Sequence, residues 1–415
     1  MEFTPPFPPH LDPNNSGNNT GTEAYSEEIL NQMTTSERTR LAVKLYKKRE
    51  IEIHDAIKIS GLTAEIFASV LKGMNLEVRQ MNVLVCGGAG FIGSNFVRHM
   101  VTKYPHYKIV NMDKLTYAGN IDNLIDIENR PNYVFYQGDI VDQKFIDEII
   151  AKEKIDSIVN FAAETHVDRS IHIGSREFVM TNTVGVQTLL DATRRHNLFK
   201  FVNISTDEVY GSLELGEQRM FTEETAFEPN VPYAAAKAGG DMLCRAYYNT
   251  FGVPVIVSHC SNNYGPYQFP EKLIPYLITK ALNREQFPIY GDGKYIRDWL
   301  FVLDHVKAID LMLHKGIAGE VYNIGGNNEK SNLEIAKLIL QYFGLPESII
   351  KFVPDRPGHD RRYAIDATKI MNELGWYPEH RFEEAIPKTI EWYLHNQEWI
   401  AKIKQRNADI NEHIK

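Results

Sequence analysis

Between Asn82 and Asp113 the chain sets out a short apolar run, three regularly spaced glycines, a helical stretch and a second apolar run closed by an acid. Asn82-Val83-Leu84-Val85-Cys86 reads as a buried strand. Gly87, Gly90 and Gly93 follow, with Phe91 and Ile92 between the last two, and a helix extends to about Lys103. Glycines let a backbone approach a diphosphate, and the helix N-terminus behind them offers N–H donors and a favourable dipole. The second strand, Lys108 to Met112, ends at Asp113, 20 residues after Gly93. An acid there suits the hydroxyls of an adenosine ribose and repels a 2′-phosphate. NAD is therefore expected rather than NADP. Lys114 is a counter-signal, expected to be less well aimed.

Further strand–helix units follow. Tyr133 to Gln137 reads as a strand ending in Gly138-Asp139-Ile140, near the adenine. Ser157 to Phe161 is a strand ending in Ala162-Ala163-Glu164-Thr165-His166, and a long helical segment runs from about Arg176 to His196. Phe201 to Ile204 and Val255 to Ser258 are later strands. Repeated βα units predict an α/β fold with a doubly wound parallel sheet of the Rossmann type, assigned to residues 81–265.

The strand at Phe201 leads into Ser205-Thr206-Asp207-Glu208-Val209-Tyr210-Gly211. Thr206, Asp207 and Glu208 thus stand at a strand's carboxyl end, where open α/β sheets bind ligands. Tyr233 and Lys237 lie four apart, on one face of a helix starting at Tyr233. A tyrosine acting as a base near neutrality needs its pKa lowered from about 10. A lysine one turn away favours the phenolate, as would a nicotinamide cation. An Asp-Glu pair separates into an acid and a base if its two environments differ.

The first 80 residues stand apart. Residues 1–22 are rich in Pro, Asn and Gly, and 1–33 are assigned as a disordered segment. Residues 34–80 are assigned as a helical appendage. Thr34 and Glu37 form a capping-box pattern, Ile53 to Ser60 reads as a second helix, Gly61 as a turn, and Thr63 as the start of a third. This order resembles a helix-turn-helix with Arg38, Arg40, Lys44, Lys47, Lys48 and Arg49 as basic residues. The plainer reading is a packing or assembly element. Glu50, Glu52 and Asp55 interrupt the basic patch, so nucleic acid is not the expected partner.

Composition narrows the rest. A net charge of −9 gives no general reason to seek nucleic acid or an anionic membrane. No apolar run approaches the roughly 18 residues of a membrane helix, and no basic-then-apolar leader opens the chain. Cys86, Cys244 and Cys260 lack metal-ligand spacing. Reduced thiols, a cytoplasmic protein and no metal are expected.

Several long strings point to a family: Asp113 to Asn120, Ala162 to Ser170, Ser205 to Gly211, Tyr233 to Lys237, Asn262 to Pro275, Arg297-Asp298-Trp299 and Asp355 to Asp360. Through them, from Met81 to about Leu394, the chain resembles the extended short-chain dehydrogenase/reductases, and within these the dTDP-glucose 4,6-dehydratases. Cys86, Ala234 and Ala236 depart from the usual Thr and Ser. The pattern does not include the first 80 residues.

The resemblance implies a smaller α+β substrate domain over 266–415, with some chain returning to the Rossmann domain. It places Leu115, Thr116, Thr181 and Asn263 beside the cofactor. It assigns Asn262, Lys272, Leu273, Pro288, Tyr290, Arg297, Asn332, Asp355, Arg356 and His359 to a nucleotide sugar. It also implies a homodimer. The implied reaction is oxidation at C-4, with Tyr233 taking the hydroxyl proton and Thr206 bonding the same oxygen. Glu208 then removes the C-5 proton, Asp207 protonates the departing 6-hydroxyl, and the hydride returns to C-6. A UDP-glucose 4,6-dehydratase, a 4-epimerase, a decarboxylase of the superfamily and an NAD-binding regulator are the alternatives. The Asp207-Glu208 pair argues against the epimerase and the decarboxylase. The intact Tyr, Lys, Asp and Glu set argues against a silent regulator.

Overall fold

The computed structural model describes residues 27–47, 53–74, 76, 80–172, 174–355 and 358–406. The expected disorder of residues 1–22, and the roles suggested for Lys48, Arg49, Glu50, Glu52 and Arg356, lie outside these residues. The chain divides into two units, Met1–Arg79 and Gln80–Lys415.

Among its described residues the first unit holds four helices: α1 (Glu27–Asn31), α2 (Thr35–Lys47), α3 (Ile53–Ser60) and α4 (Ala64–Gly73). Thr34 Oγ1 accepts the Glu37 N–H at 3.3 Å and Glu37 Oε2 accepts the Thr34 N–H at 2.8 Å, which forms the capping box. Thr63 caps α4. Leu41, Ala42, Leu45 and Tyr46 bury one face of α2 in a cluster with Ile59, Phe67 and Leu71. The assignment of disorder through residue 33 is too long: Leu30 of α1 is buried in this cluster. Arg38 donates to the carbonyls of Ile59 (2.7 Å) and Lys58 (3.2 Å), at the end of α3. Arg40, Lys44 and Lys47 are the exposed cations of α2.

The second unit begins with β1 (Asn82–Cys86), α5 (Phe91–Lys103), β2 (Lys108–Asp113), β3 (Tyr133–Gln137), α6 (Gln143–Glu153) and β4 (Ser157–Asn160). It continues with α7 (Val167–His172), α8 (Arg176–Val179), α9 (Val186–Arg195), β5 (Lys200–Thr206), α10 (Pro232–Phe251) and β6 (Val255–Cys260). Next come β7 (Asn262–Tyr264), α11 (Leu273–Leu282), β8 (Phe287–Tyr290), β9 (Ile296–Phe301), α12 (Val302–Lys315) and β10 (Val321–Ile324). The last elements are β11 (Glu329–Ser331), α13 (Asn332–Phe343), β12 (Ile350–Val353), α14 (Thr368–Leu374), α15 (Phe382–His395) and α16 (Gln397–Arg406).

Seven parallel strands form one sheet in the order β10-β6-β5-β4-β1-β2-β3. This is the doubly wound order with its reversal between β1 and β4. Helices cover both faces, so the strands read as nearly continuous apolar runs; all seven residues of β5 are buried. Pro232 at the first turn of α10 suits a position whose N–H has no helical acceptor.

A second core gathers Tyr264, Leu277, Phe287, Phe301, Ile339 and Phe382 around the small sheets β11-β9-β7 and β12-β8. Because β7 pairs with β9, this smaller half starts before residue 265. Val302, Ile309, Tyr322 and Ile370 return to the core of the large sheet.

The segment from Arg176 to His196 is helical as expected, but not α-helical throughout. Met180–Gly185 forms a π-helical turn between α8 and α9. Such turns hold one extra residue and cluster at functional sites. Here Asn182 bonds both the N–H and the carbonyl of Glu164 at 3.0 Å, and Thr183 Oγ1 donates to the Ala236 carbonyl at 2.8 Å. One turn thereby fixes the loop after β4 and the helix bearing Tyr233.

Candidate active site

At the reversal point the glycine loop packs against the chain leaving β4 at Phe161 and Ala162. Gly87 has φ +76°, and a Cβ there would lie 2.5 Å from the Ala162 amide nitrogen. A Cβ on Gly93 would lie 2.3 Å from the Gly87 carbonyl oxygen. Gly90 caps α5 with no side-chain acceptor, which leaves the first-turn donors next to Phe91 and Ile92 for an anion. Asp113 closes β2. Its Oδ2 accepts the Ala89 N–H at 2.9 Å and its Oδ1 the Leu115 N–H at 2.8 Å. Burial raises its pKa, while these two bonds and Arg406 pull it down. Each oxygen keeps acceptor capacity for a ribose hydroxyl. Lys114 is turned to Asp139, 2.7 Å away. Arg406 donates to the Thr116 carbonyl at 3.0 Å, and Ile140 is buried against Gly185. Ala162 and Ala163 lie in the loop after β4, held by Asn160 through the Ala162 N–H at 3.1 Å. Thr181 is in the π turn, and Asn263 Oδ1 meets His305 Nδ1 at 2.9 Å. An uncapped helix N-terminus facing a nearly buried carboxylate fits a dinucleotide.

Beyond β5, Thr206 opens a 3₁₀ turn over Asp207–Tyr210. Its Oγ1 accepts the Glu208 N–H at 3.3 Å and donates to Asp207 Oδ1 at 3.4 Å. Asp207 is 2% exposed, and its Oδ2 has no hydrogen-bond partner among the described residues. Burial pushes the Asp207 carboxyl well up, and the charge of Glu208 adds to this; Arg297 opposes it. Glu208 is only partly buried. The two neighbouring acids therefore occupy different environments, as an acid–base pair requires.

Tyr233 departs from expectation. Burial first, then the negative charge of Glu208, push its phenol well above the usual value, and a hydrogen bond with Thr206 pulls the other way. Lys237, buried one turn further along α10, donates its Nζ to the Ile204 carbonyl at 2.5 Å. A positive charge bound beside the phenol would favour its ionised form.

A cavity of about 680 Å³ lies between the two halves of the second unit, with His166, Val167, Asp168 and His172 of the larger half in its wall. Asn262, Lys272, Leu273, Pro288, Tyr290, Arg297, Asn332, Asp355 and His359 all line it. Lys272 Nζ donates to the Thr165 carbonyl at 3.1 Å. Arg297 donates to the carbonyls of Ile296 (2.7 Å) and Asp360 (2.9 Å) and lies 4.2 Å over the Tyr363 ring. His359 stacks on Tyr295 at 3.6 Å and bonds Asp355 Oδ1 at 2.7 Å. Thr206, Asp207, Glu208 and Tyr233 are not part of this lining; Arg297, which lowers the pKa of Asp207, links the two regions electrostatically.

Two lining residues escaped the sequence reading. Glu271 is half-buried with its carboxylate turned inward, Lys272 Nζ lies 3.7 Å from its Oε1, and burial raises its pKa. His166 Nε2 lies 3.2 Å from Glu271 Oε2. Both stood within strings quoted above, but their pairing across about a hundred residues leaves no local signal.

The profile of the GDP-mannose 4,6 dehydratase family matches residues 84–389. A dTDP-glucose 4,6-dehydratase of Xanthomonas campestris pv. campestris (strain B100) is 50% identical over 338 residues, 77% of this chain and 95% of the relative. The chain belongs to the dTDP-glucose 4,6-dehydratase family. An Escherichia coli dTDP-glucose 4,6-dehydratase is 47% identical over 350 residues, covering 78% of this chain and 96% of its own. The Bacillus anthracis dTDP-glucose 4,6-dehydratase in complex with NAD shares 50% identity with a TM-score of 0.73, covering 78% of this chain and all of its own. DesIV of Streptomyces venezuelae, the same enzyme with NAD and TYD bound, gives 44% identity and a TM-score of 0.75 over 78% of this chain and all of its own. The profile match of this dehydratase-family chain starts downstream of the N-terminal unit.

Proposed function

We propose that the protein dehydrates dTDP-glucose to dTDP-4-keto-6-deoxyglucose with NAD as a recycled cofactor. The observation that carries this is the Asp207-Glu208 pair, one member fully buried and the other partly open, beside Tyr233 in a chain of this family. The glycine loop and Asp113 would hold NAD, which would supply a reversible acceptor for the hydride moved from C-4 to C-6 and a positive charge beside the phenol. Tyr233 takes the proton of the 4-hydroxyl, whose oxygen Thr206 also bonds. The ketone at C-4 makes the C-5 hydrogen acidic. Glu208 removes that proton, and Asp207, held protonated by burial, delivers its own to the 6-hydroxyl, which leaves as water. Lys272 and Arg297 are suited to a diphosphate.

A 4-epimerase relative from Thermotoga maritima, 29% identical with a TM-score of 0.71, shares the fold. Epimerisation at C-4 has no use for an acid–base pair acting at C-5 and C-6, so Asp207 and Glu208 favour dehydration. Parallel incubation with dTDP-glucose, UDP-glucose and GDP-mannose, reading the 4-keto product, tests the assignment. Turnover of UDP-glucose alone moves the substrate, and epimer without keto product removes the reading.

For the cofactor, Asp113→Asn is predicted to weaken NAD binding about tenfold or more, as for a lost hydrogen bond to a charged group of about 1.5–3 kcal/mol. Fluorescence titration measures this; tighter NADP than NAD binding by the wild type refutes the role of Asp113.

Residues Gln80–Lys415 contain both the glycine loop and the cavity. A chain starting at Met81 is therefore predicted to keep its dehydratase activity; insoluble or inactive protein contradicts this.

A homodimer is part of this proposal. Met242, Tyr248 and Phe251 of α10 and Val179 of α8 are exposed apolar side chains. A monomer by analytical ultracentrifugation excludes it. Three buried free cysteines fit the reducing cytoplasm, which cell fractionation checks.

A further inference from the structure

One turn beyond Lys237 on α10 stands Asp241, 5% exposed, on which side chains from two other elements converge. Ser205 Oγ donates to its Oδ2 at 2.5 Å and Asn203 Nδ2 to its Oδ1 at 3.1 Å, both from β5. His259 Nε2, from β6, lies 3.2 Å from Oδ2. The network continues. His259 Nδ1 is 2.6 Å from the Tyr210 hydroxyl, which donates to Asn323 Oδ1 at 2.8 Å. Asn323 is held in that orientation by donating from Nδ2 to the Phe221 carbonyl at 3.1 Å. Tyr210 belongs to the same 3₁₀ turn as Asp207 and Glu208.

We propose that Asp241 is a positioning residue: its buried carboxylate keeps Lys237 an ammonium and ties the helix carrying Tyr233 to the turn carrying Asp207 and Glu208. This rests on the dehydratase reading above.

Two physical facts support the electrostatic half. Lys237 is buried with a backbone carbonyl as its hydrogen-bond acceptor, so desolvation favours the neutral amine. Asp241 is the foremost group opposing that, ahead of Cys260 and Cys244. The carboxylate and ammonium are one helical turn apart, a spacing at which Cβ atoms lie about 5–6 Å from each other. The titratable groups facing this pair are Cys244 on α10, His259 and Cys260 on β6, and Tyr210 from the 3₁₀ turn, with Asp207 acting in turn on Cys260 and Tyr210. β5 contributes the neutral donors Asn203 and Ser205 and the Ile204 carbonyl.

An ordinary packing hub would also be buried and satisfied, so the test must read charge rather than stability. Asp241→Asn keeps the volume and removes the charge. The readout is single-turnover formation of reduced nicotinamide on mixing with dTDP-glucose, followed across pH beside the melting temperature. The alkaline limb, where Lys237 loses its proton, is expected to move down by about one pH unit or more, as for loss of a near opposite charge. Above that limb the rate should fall about tenfold per pH unit, while Asp241→Glu restores the wild-type limb. Ser205→Ala is the second variant. It removes a donor and leaves the charge, so the melting temperature should fall with the limb unmoved.

A uniform loss of rate in Asp241→Asn with an unshifted limb overturns the proposal. So does a downward shift in Ser205→Ala, a result available even if the Asn variant does not fold. Failure of the wild type to reduce its cofactor with dTDP-glucose instead overturns the dehydratase reading itself.

Discussion

Tyr233→Phe is expected to stop the cycle before any hydride moves. The substitution deletes one oxygen and leaves the ring, which meets Phe178 edge-on at 6.4 Å, so packing is retained. What disappears is the acceptor for the 4-hydroxyl proton. Without it an alcohol would have to lose hydride while still protonated, which is strongly unfavourable. Enzyme holding NAD⁺ should show no NADH absorbance with dTDP-glucose, a loss of about 10²–10⁴-fold in the oxidation. Stopped-flow absorbance at the NADH band measures this. NADH formation by the variant at the wild-type rate refutes the role of Tyr233.

Asp207→Asn is expected to do the opposite: oxidation survives and elimination stalls. Enzyme-bound NADH should accumulate with substrate while product formation lags by about 10²–10⁴-fold. Glu208→Gln should likewise slow elimination and leave the C-5 hydrogen unexchanged with solvent deuterium.

Asp207 carries a second, independent signature. Its folded pKa is raised, so above about pH 4 the native state holds a proton that the unfolded chain releases. Stability is then lost as pH rises through the window between the unfolded and folded values. Asp207→Asn removes that penalty and should melt no lower than the wild type at pH 7–8. Normal turnover by Asp207→Asn returns weight to the epimerase reading. A large drop in melting temperature instead marks Asp207 as structural.

How much of this was legible in the residues depended on distance along the chain. The glycine loop and Asp113 are set by contacts within one βα unit, where spacing translates directly into geometry. The Thr34–Glu37 cap is local in the same way. The π turn at Met180–Gly185 was hidden because one extra residue per turn barely disturbs a helical pattern over so short a stretch. The spacing of Tyr233 and Lys237 correctly put both on α10, yet it could not show that the ammonium is bound by Ile204. Glu271 and His166 meet only after the two halves of the second unit have folded. The substrate-side residues were named through resemblance; their periodicity alone would have left them as surface positions.

The seventh strand of the large sheet, β10, has a consequence for modularity. It is drawn from the middle of the stretch that otherwise builds the sugar-facing half, and α12 before it and α14 after it also return to the large core. Neither half is a continuous length of polypeptide. No single cut excises the cavity from the cofactor fold, and grafting a different cavity onto it requires several simultaneous junctions. Changes of substrate are more accessible to this scaffold by replacing side chains in place than by exchanging domains.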